Sequence, residues 1–373
     1  MAKKSEVLNT INVPRTNHEA VKKYMGIAAE HKIALMMHGT FGIGKSAVVK
    51  QWAQVRAKEL GLEYSDDLND VNNVKKFVAI VINLHQFDVS GFWLPVFVNG
   101  KYDQMINDMF PLKGQGVIFF DEINLAPNMV QANAYQFILD RRLGKYTVPT
   151  GYSVFAAGNT TTDNAHIHEM ATPLKNRMMH YMLNVPTAKE WAENYAIENK
   201  IDHRIINFLY FAEHYVHKYD SEITENVYGI PTPRSWEFTS KVIAGISSDG
   251  KDGGTLYDLV AANIGTECAR EFVSFVNISQ NIDIDQIFKT ETMDVPTEID
   301  RIYALMSAMI SYYTKKPELV VTFTKLAMLF KSEHTIILLK QAKSYVPDFL
   351  KELKAKDDAL FTKVAKKYIK LLI

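Results

Sequence analysis

The sequence predicts an α/β fold with a parallel sheet, followed by an α-helical lid and a further α-helical C-terminal region. Three observations predict it. Short runs apolar at every position recur in the first half, namely "IALMMHG", "FVAIVINL", "GVIFFDEI" and "YSVFAAGN". Strands buried on both faces need such runs, because successive side chains point to opposite sides. Helical stretches separate these runs, as parallel strands require for their crossovers. From about residue 187 the apolar spacing is helical throughout, in "TAKEWAENYAIEN", "DHRIINFLYFAEHYV" and "PRSWEFTSKVIAGI".

Taken in order, Thr16 with Glu19 three residues later reads as a capping box for a helix over roughly 17–31. It leads into the strand "IALMMHG", a glycine-rich loop and a helical pattern near 45–60. The turn-rich "GLEYSDDLNDVNN" precedes "FVAIVINL", and strands at 116–123 and 152–159 flank a helix around 128–140. "SSDGKDGG" at 247–254 has the composition of a linker. The expected domains are therefore 1–186 (an α/β core), 187–250 (a helical lid) and 251–373 (a C-terminal helical region ending in a lysine-rich amphipathic helix).

Composition excludes several classes. The 373 residues are 47% hydrophobic and 23% charged, the balance of a globular protein with a sizeable core. Forty-two basic residues match forty-two acidic ones, so no net field draws the chain to nucleic acid or anionic lipid. Cys268 is the only cysteine, which excludes an intramolecular disulfide and suits a reducing compartment. The start "MAKKSEVLNTINVP" lacks an apolar signal core, and no run approaches the ~18 apolar residues of a membrane span. A cytoplasmic protein is expected.

Gly39, Gly44, Lys45 and Ser46 fit G-x-x-x-x-G-K-[ST]. In such a loop, from Gly39 through Thr40, Phe41, Gly42, Ile43 and Gly44, backbone N–H groups cradle phosphates. Lys45 neutralises the β and γ oxygens of ATP, and Ser46 ligates Mg²⁺. The plainer alternative is a glycine-rich turn. "GVIFFDEIN" ends a strand in Asp121, which can join the Mg²⁺ shell, and Glu122, which can deprotonate an attacking water. Alone, the two carboxylates would read as a solvated turn. Asn159 at the tip of "FAAGN" could position the same water or cap a turn. A glutamate beside a metal aspartate favours hydrolysis over transfer to another acceptor, so an ATPase is the leading class.

These residues resemble a known family. "HGTFGIGKS", "GVIFFDEINLAP", "ILDRRLGKYTVPTGYSVFAAGNTTTD", "PLKNRMMH" and "TPRSWE" stand in the order and spacing of AAA+ ATPases of the MoxR-like group, over roughly residues 15–245. "GTECAREFVSF" with "MDVPTEIDRIYALMSAMI" looks like the C-terminal part of its stand-alone bacterial and phage members. The resemblance implies a P-loop NTPase fold, with Asp121 and Glu122 as Walker B, Asn159 as sensor 1, Arg177 as arginine finger and Arg234 as sensor 2. It further implies a homo-oligomeric, hexameric ring that remodels a protein client, with a separate von Willebrand factor A domain adaptor. An arginine finger would stabilise charge spreading onto the γ-phosphate of a neighbour, whereas a surface salt bridge is the bland reading of Arg177. Whether Arg234 serves its own or a neighbouring site stays open.

Two insertions bear on what such a ring touches. "QFDVSGFWLPVFVNGKYDQMINDMFPLKGQG" resembles the helix-2 insert, with two residues more than the family's aspartate-x-x-glycine-leucine-proline pattern. "DRRLGKYTVPTGYS" resembles the presensor hairpin, with Gly144 and Gly151 at turn positions. Phe92, Trp93 and Tyr146 are then substrate contacts, or ordinary core packing. His166 and His168 could ligate a metal, but no third ligand is evident. A nucleic-acid motor or loader is the alternative function, resting on the basic residues of "DRRLGKY". A nucleotide switch without turnover is a third, disfavoured by Glu122.

Overall fold

The computed structural model describes residues 12–160, 176–219, 228–246 and 253–372. The chain divides into two compact units, residues 1–185 and 186–373. In the first, seven strands form one sheet: β1 (Arg15–Thr16), β2 (Leu35–His38), β3 (Glu63–Ser65), β4 (Lys76–Asn83), β7 (Gln115–Asp121), β10 (Gly151–Gly158) and β11 (Met179–Leu183). Their order is β1-β11-β2-β10-β7-β4-β3, and every pairing is parallel. Two antiparallel hairpins stand apart from it: β5 (Trp93–Val98) with β6 (Lys101–Ile106), and β8 (Arg142–Leu143) with β9 (Tyr146–Thr147).

The continuous apolar runs are used as expected of a sheet covered on both sides. Met36, Ile80, Ile118, Phe120, Val154 and Ala156 face one cluster, where helix α3 (Asn128–Asp140) contributes Val130, Ala134 and Phe137. Their strand neighbours Leu35, Met37, Ala79, Val117, Phe119 and Phe155 face the other, built with α1 (His18–Glu30) and α2 (Lys45–Glu59). With a period of two, each run supplies both cores at once.

The start of α1 differs from expectation. Asn17, not Thr16, is the N-cap, and its Oδ1 accepts the Ala20 N–H at 2.9 Å. Thr16 is committed to β1, in register with Leu183 of β11, and Glu19 pairs instead with Lys22 at 2.6 Å. The Thr16–Glu19 box is therefore not formed, because sheet pairing claims its threonine. Gly151 is likewise not a turn residue but the first of β10.

The second unit is helical and holds two apolar clusters. One apolar cluster runs from Trp191 through Phe208 and Trp236 to Leu256, Phe272 and Ala304. Another gathers Phe288, Met309, Tyr313, Phe323, Phe349 and Tyr368. Inside the unit, Asp202 caps the helix His203–Phe211 and holds the buried Arg204 through Nε at 2.9 Å and Nη2 at 2.6 Å. Arg204 also donates to the Ile243 carbonyl at 3.1 Å and that of Ile246 at 3.3 Å, tying this helix to Pro233–Ile243. Arg204→Met is expected to destabilise the unit by about 3–5 kcal/mol, because it strands the Asp202 carboxylate without its partner. Urea denaturation followed by far-UV circular dichroism checks this; a loss within about 0.5 kcal/mol, the size of a neutral surface change, would contradict it. Among the described residues no helix is long and apolar enough to cross a membrane.

Candidate active site

The loop Gly39–Gly44 joins β2 directly to α2. Gly42 (φ 72°) and Gly44 (φ 96°) take left-handed conformations that L side chains avoid. A Cβ on Gly39 would come within 2.7 Å of the Ile43 side chain and 3.2 Å of the Leu183 carbonyl. No side chain caps the start of α2, whose first N–H groups therefore stay available to an anion. The Nε2–H of His18, the first residue of α1, donates to the Ile43 carbonyl at 2.8 Å and braces the loop from outside.

Lys45 is buried and converges on three acceptors: the Gly39 carbonyl at 2.8 Å, the Thr40 carbonyl at 2.9 Å and Asn159 Oδ1 at 2.9 Å. The Ser46 hydroxyl donates to Asp121 Oδ2. Thus β2, β10 and β7, adjacent in the sheet, deliver Lys45 and Ser46, Asn159 and Asp121 to one edge. Strand polarity alone puts them there, since all three strands are parallel and end on the same side.

Glu122 follows Asp121 in a left-handed conformation (φ 53°), which turns it out of the β7 alternation. Its carboxylate is partly exposed and sits 2.8 Å from His85 Nδ1. His85 lies in the turn Leu84–Gln86 after β4, and Asn83 of β4 is in register with Asp121. Sequence reasoning missed His85, because only the β4·β7 adjacency brings it to the site. It also missed Asn124, which accepts the Asn159 N–H at 3.1 Å and donates to the Asn159 carbonyl at 2.8 Å. That clamp lies over Gly158, where a Cβ would come within 2.7 Å of Asn124 Oδ1.

Arg177 is exposed just before β11 and is not part of the cluster of Lys45, Ser46, Asp121, Glu122 and Asn159. Arg234 belongs to the second unit, exposed in the first turn of Pro233–Ile243, with Thr232 and Ser235 closing a capping box. His166 and His168 lie outside the described residues. Among the described residues no group of three or more His, Cys, Asp or Glu side chains could hold a metal. Ser46 and Asp121 nonetheless fit Mg²⁺, which takes one or two protein oxygens and completes its shell with phosphates and water.

Of the two readings of the insertion aromatics, core packing is the one their contacts fit. Phe92 is fully buried against Phe110 and Phe120, Trp93 packs on the same cluster, and Tyr146 is buried with its hydroxyl donating to the Pro111 carbonyl at 2.7 Å. The solvent-facing rings are Phe97 and Tyr102, a cross-strand pair 5.3 Å apart near the Asn99-Gly100 turn of the β5–β6 hairpin. The Asn-Gly pair was the available signal for this hairpin. The two hairpins are tied together, with the Lys145 N–H donating to Gln104 Oε1 at 2.9 Å and Lys145 Nζ to Asp103 at 2.7 Å.

Beside the loop, buried His38 lies 3.0 Å (Nε2) from His180 Nδ1 on β11. Burial first, then the charges of His180 and Lys45, push His38 from 6.5 down to about 4. It is neutral in the folded protein, whereas the unfolded chain protonates it below pH ~6.5. Stability is therefore lost as pH falls from ~6.5 towards 4, by at most about 1.4 kcal/mol per unit from this group. His38→Gln should flatten the fall in urea midpoint between pH 7 and 5. An unchanged slope would assign that acid sensitivity to other groups.

No known family profile matches this sequence, and no curated protein does. Among solved structures, NtrX from Brucella abortus aligns over 88% of this chain and 67% of its own, at 10% identity and a TM-score of 0.38. A mutant RuvB from Thermotoga maritima aligns over 73% of this chain and 75% of its own, at 17% identity and a TM-score of 0.30. The replication initiator DnaA bound to AMPPCP and single-stranded DNA aligns over 97% and 96%, at 10% identity and a TM-score of 0.31. Likenesses this remote carry no inference about function.

Proposed function

We propose that this chain is a Mg²⁺-dependent ATPase of the AAA+ type and MoxR-like group, working in the cytoplasm as a hexameric ring that remodels a protein client. The observation that carries it is the convergence of Lys45 and Ser46 with Asp121, Glu122 and Asn159 at one sheet edge. A lysine, a hydroxyl, two carboxylates and an amide gathered over an uncapped helix start support a nucleotide site.

In this reading the N–H groups from Gly39 to Ser46 hold the phosphates, and Lys45 turns its ammonium to the β and γ oxygens. Ser46 and Asp121 hold Mg²⁺, which neutralises phosphate charge when bound. Asn159, fixed by Asn124, orients the attacking water, and Glu122 takes its proton. Arg177 acts from a neighbouring subunit, and Arg234 is the sensor 2 arginine of its own or a neighbouring site. Phe97 and Tyr102 replace Phe92 and Trp93 as the candidate client contacts, with a von Willebrand factor A domain adaptor as the further partner.

The test is ATP binding and steady-state hydrolysis across protein concentration, with mass photometry on the same samples. Lys45→Ala should weaken ATP binding roughly 10- to 100-fold, the loss of charge-assisted hydrogen bonds to phosphate. The rate per subunit should rise as rings form. Undiminished ATP affinity in Lys45→Ala would overturn the nucleotide site, and a monomer with full activity would overturn the ring.

The nucleic-acid motor remains the alternative, because Arg142 and Lys145 are exposed on the β8–β9 hairpin. Asp103 pairs with Lys145, which weakens that reading. Salt-sensitive stimulation of hydrolysis by DNA, lost in Arg142→Ala, would favour it.

A further inference from the structure

His18 is tied to the loop Gly39–Gly44 by elements outside that loop. Thr16 is held in β1 by its register with Leu183 of β11, and its carbonyl accepts the Asn184 N–H at 2.9 Å. Asn17 then caps α1 by accepting the Ala20 N–H at 2.9 Å. The first helical residue, His18, is therefore placed by strand pairing on one side and a helix cap on the other. From there its half-buried ring meets the Ile43 carbonyl at 2.8 Å. A carbonyl only accepts, so Nε2 carries the proton of this bond.

Peptide geometry carries this contact further. The Ile43–Gly44 peptide is trans, so the Ile43 C=O and the Gly44 N–H point in opposite directions across one plane. Turning the carbonyl to His18 turns the Gly44 N–H to the opposite face of the loop. His18 closes the near face as well, since a Cβ on Gly44 would stand 3.5 Å from its Nε2. Gly44 takes φ 96°, and a glycine backbone rotates so cheaply that it cannot by itself hold this peptide against a flip. It is also the N-cap of α2, where no side chain makes the cap.

We propose that His18 is a positioning residue for a bound polyphosphate: through the Ile43 carbonyl it aims the Gly44 N–H at the phosphate oxygens, without touching the nucleotide itself. This deepens the nucleotide reading and rests on it. A loop held in its binding geometry loses less freedom on binding, which is how pre-organisation raises affinity. The position needs a donor at the reach of Nε2, which glutamine supplies and leucine does not.

The test is calorimetric titration of the full chain by ATP and by inorganic tripolyphosphate, each with Mg²⁺, in wild type, His18→Leu and His18→Gln. Leucine and glutamine are similar in size, so the comparison between them separates the donor from packing. His18→Leu is expected to weaken both ligands by the same factor, about three- to tenfold, the loss of one hydrogen bond that orders the loop. His18→Gln should recover most of that loss. His18→Asn, polar but too short to reach the Ile43 carbonyl, should behave as leucine does and stands in for it if the apolar variant is too unstable to titrate. Unchanged affinity in the variants without the donor, or an equal loss in His18→Gln, would overturn the brace. Weakened ATP binding with unchanged tripolyphosphate binding would assign His18 to the nucleoside and overturn its action on the loop. If wild type binds neither ligand, the nucleotide reading falls and this inference with it; if wild type binds both and His18→Leu matches it, this inference alone falls.

Discussion

Glu122→Gln is expected to bind ATP as the wild type does and to hydrolyse it about 10²- to 10⁴-fold more slowly, the range for loss of a positioned general base. Glutamine keeps the size and hydrogen-bonding reach of the side chain but cannot accept the water's proton. The Asp121–Ser46 and Lys45–Asn159 contacts should not move, because they do not pass through this carboxylate; only its contact with His85 changes. The left-handed backbone at Glu122 makes the conservative change the informative one, since it leaves that turn's chain length and bulk alone. Single-turnover hydrolysis with a parallel binding titration separates the two effects. A fall in affinity without a fall in the chemical step would place Glu122 in binding and remove it as the base. An unchanged rate would favour the nucleotide switch.

Arg177→Ala is expected to lower turnover about 10³- to 10⁵-fold, the range for an arginine that stabilises charge on a transferring phosphoryl group. The residue is exposed, and in the proposed ring its effect would come through a neighbour's site. This gives a complementation test. Arg177→Ala and Glu122→Gln subunits are each inactive alone, yet a mixed ring contains sites that pair the intact Glu122 of the first with the intact Arg177 of the second. Recovered hydrolysis on mixing, together with rings in mass photometry, is the expected result. No recovery in mixed rings would mean that Arg177 acts on its own subunit or only structurally.

Much of the site was legible because it is local. Gly39 to Ser46 is one continuous loop and helix start, and Asp121 and Glu122 are adjacent at the end of a strand, so spacing carried their chemistry. The residues that support them were not legible, for a physical reason. His85, Asn124 and His18 act through contacts between segments far apart in sequence, and a histidine or asparagine at a strand end or helix start looks like any turn residue until its neighbour is known. The Thr16 cap failed for a related reason: local capping chemistry competed with parallel pairing to β11, and the pairing took the residue.

The aromatics show the same division. Composition could say that the insertion between β4 and β7 holds many rings, but not which of them face water. Burial is decided by how far along the hairpin a residue stands: Trp93 and Ile106 at its base pack on the core, whereas Phe97 and Tyr102, on the same face, stand near its turn. Phe92, just before β5, and Tyr146, on β9 of the other hairpin, are buried as well. By itself, then, the sequence determined the alternation of two-faced strands with helices, the all-helical second half and the candidate site's glycine-rich loop with its carboxylates, because periodicity and contiguous motifs are properties of neighbouring residues. Only the tertiary structure decided the strand order that gathers Lys45, Asp121 and Asn159 and the contact of His85 with Glu122. Those depend on which distant segments pack together, and packing energy is shared among many residues rather than written at any one of them.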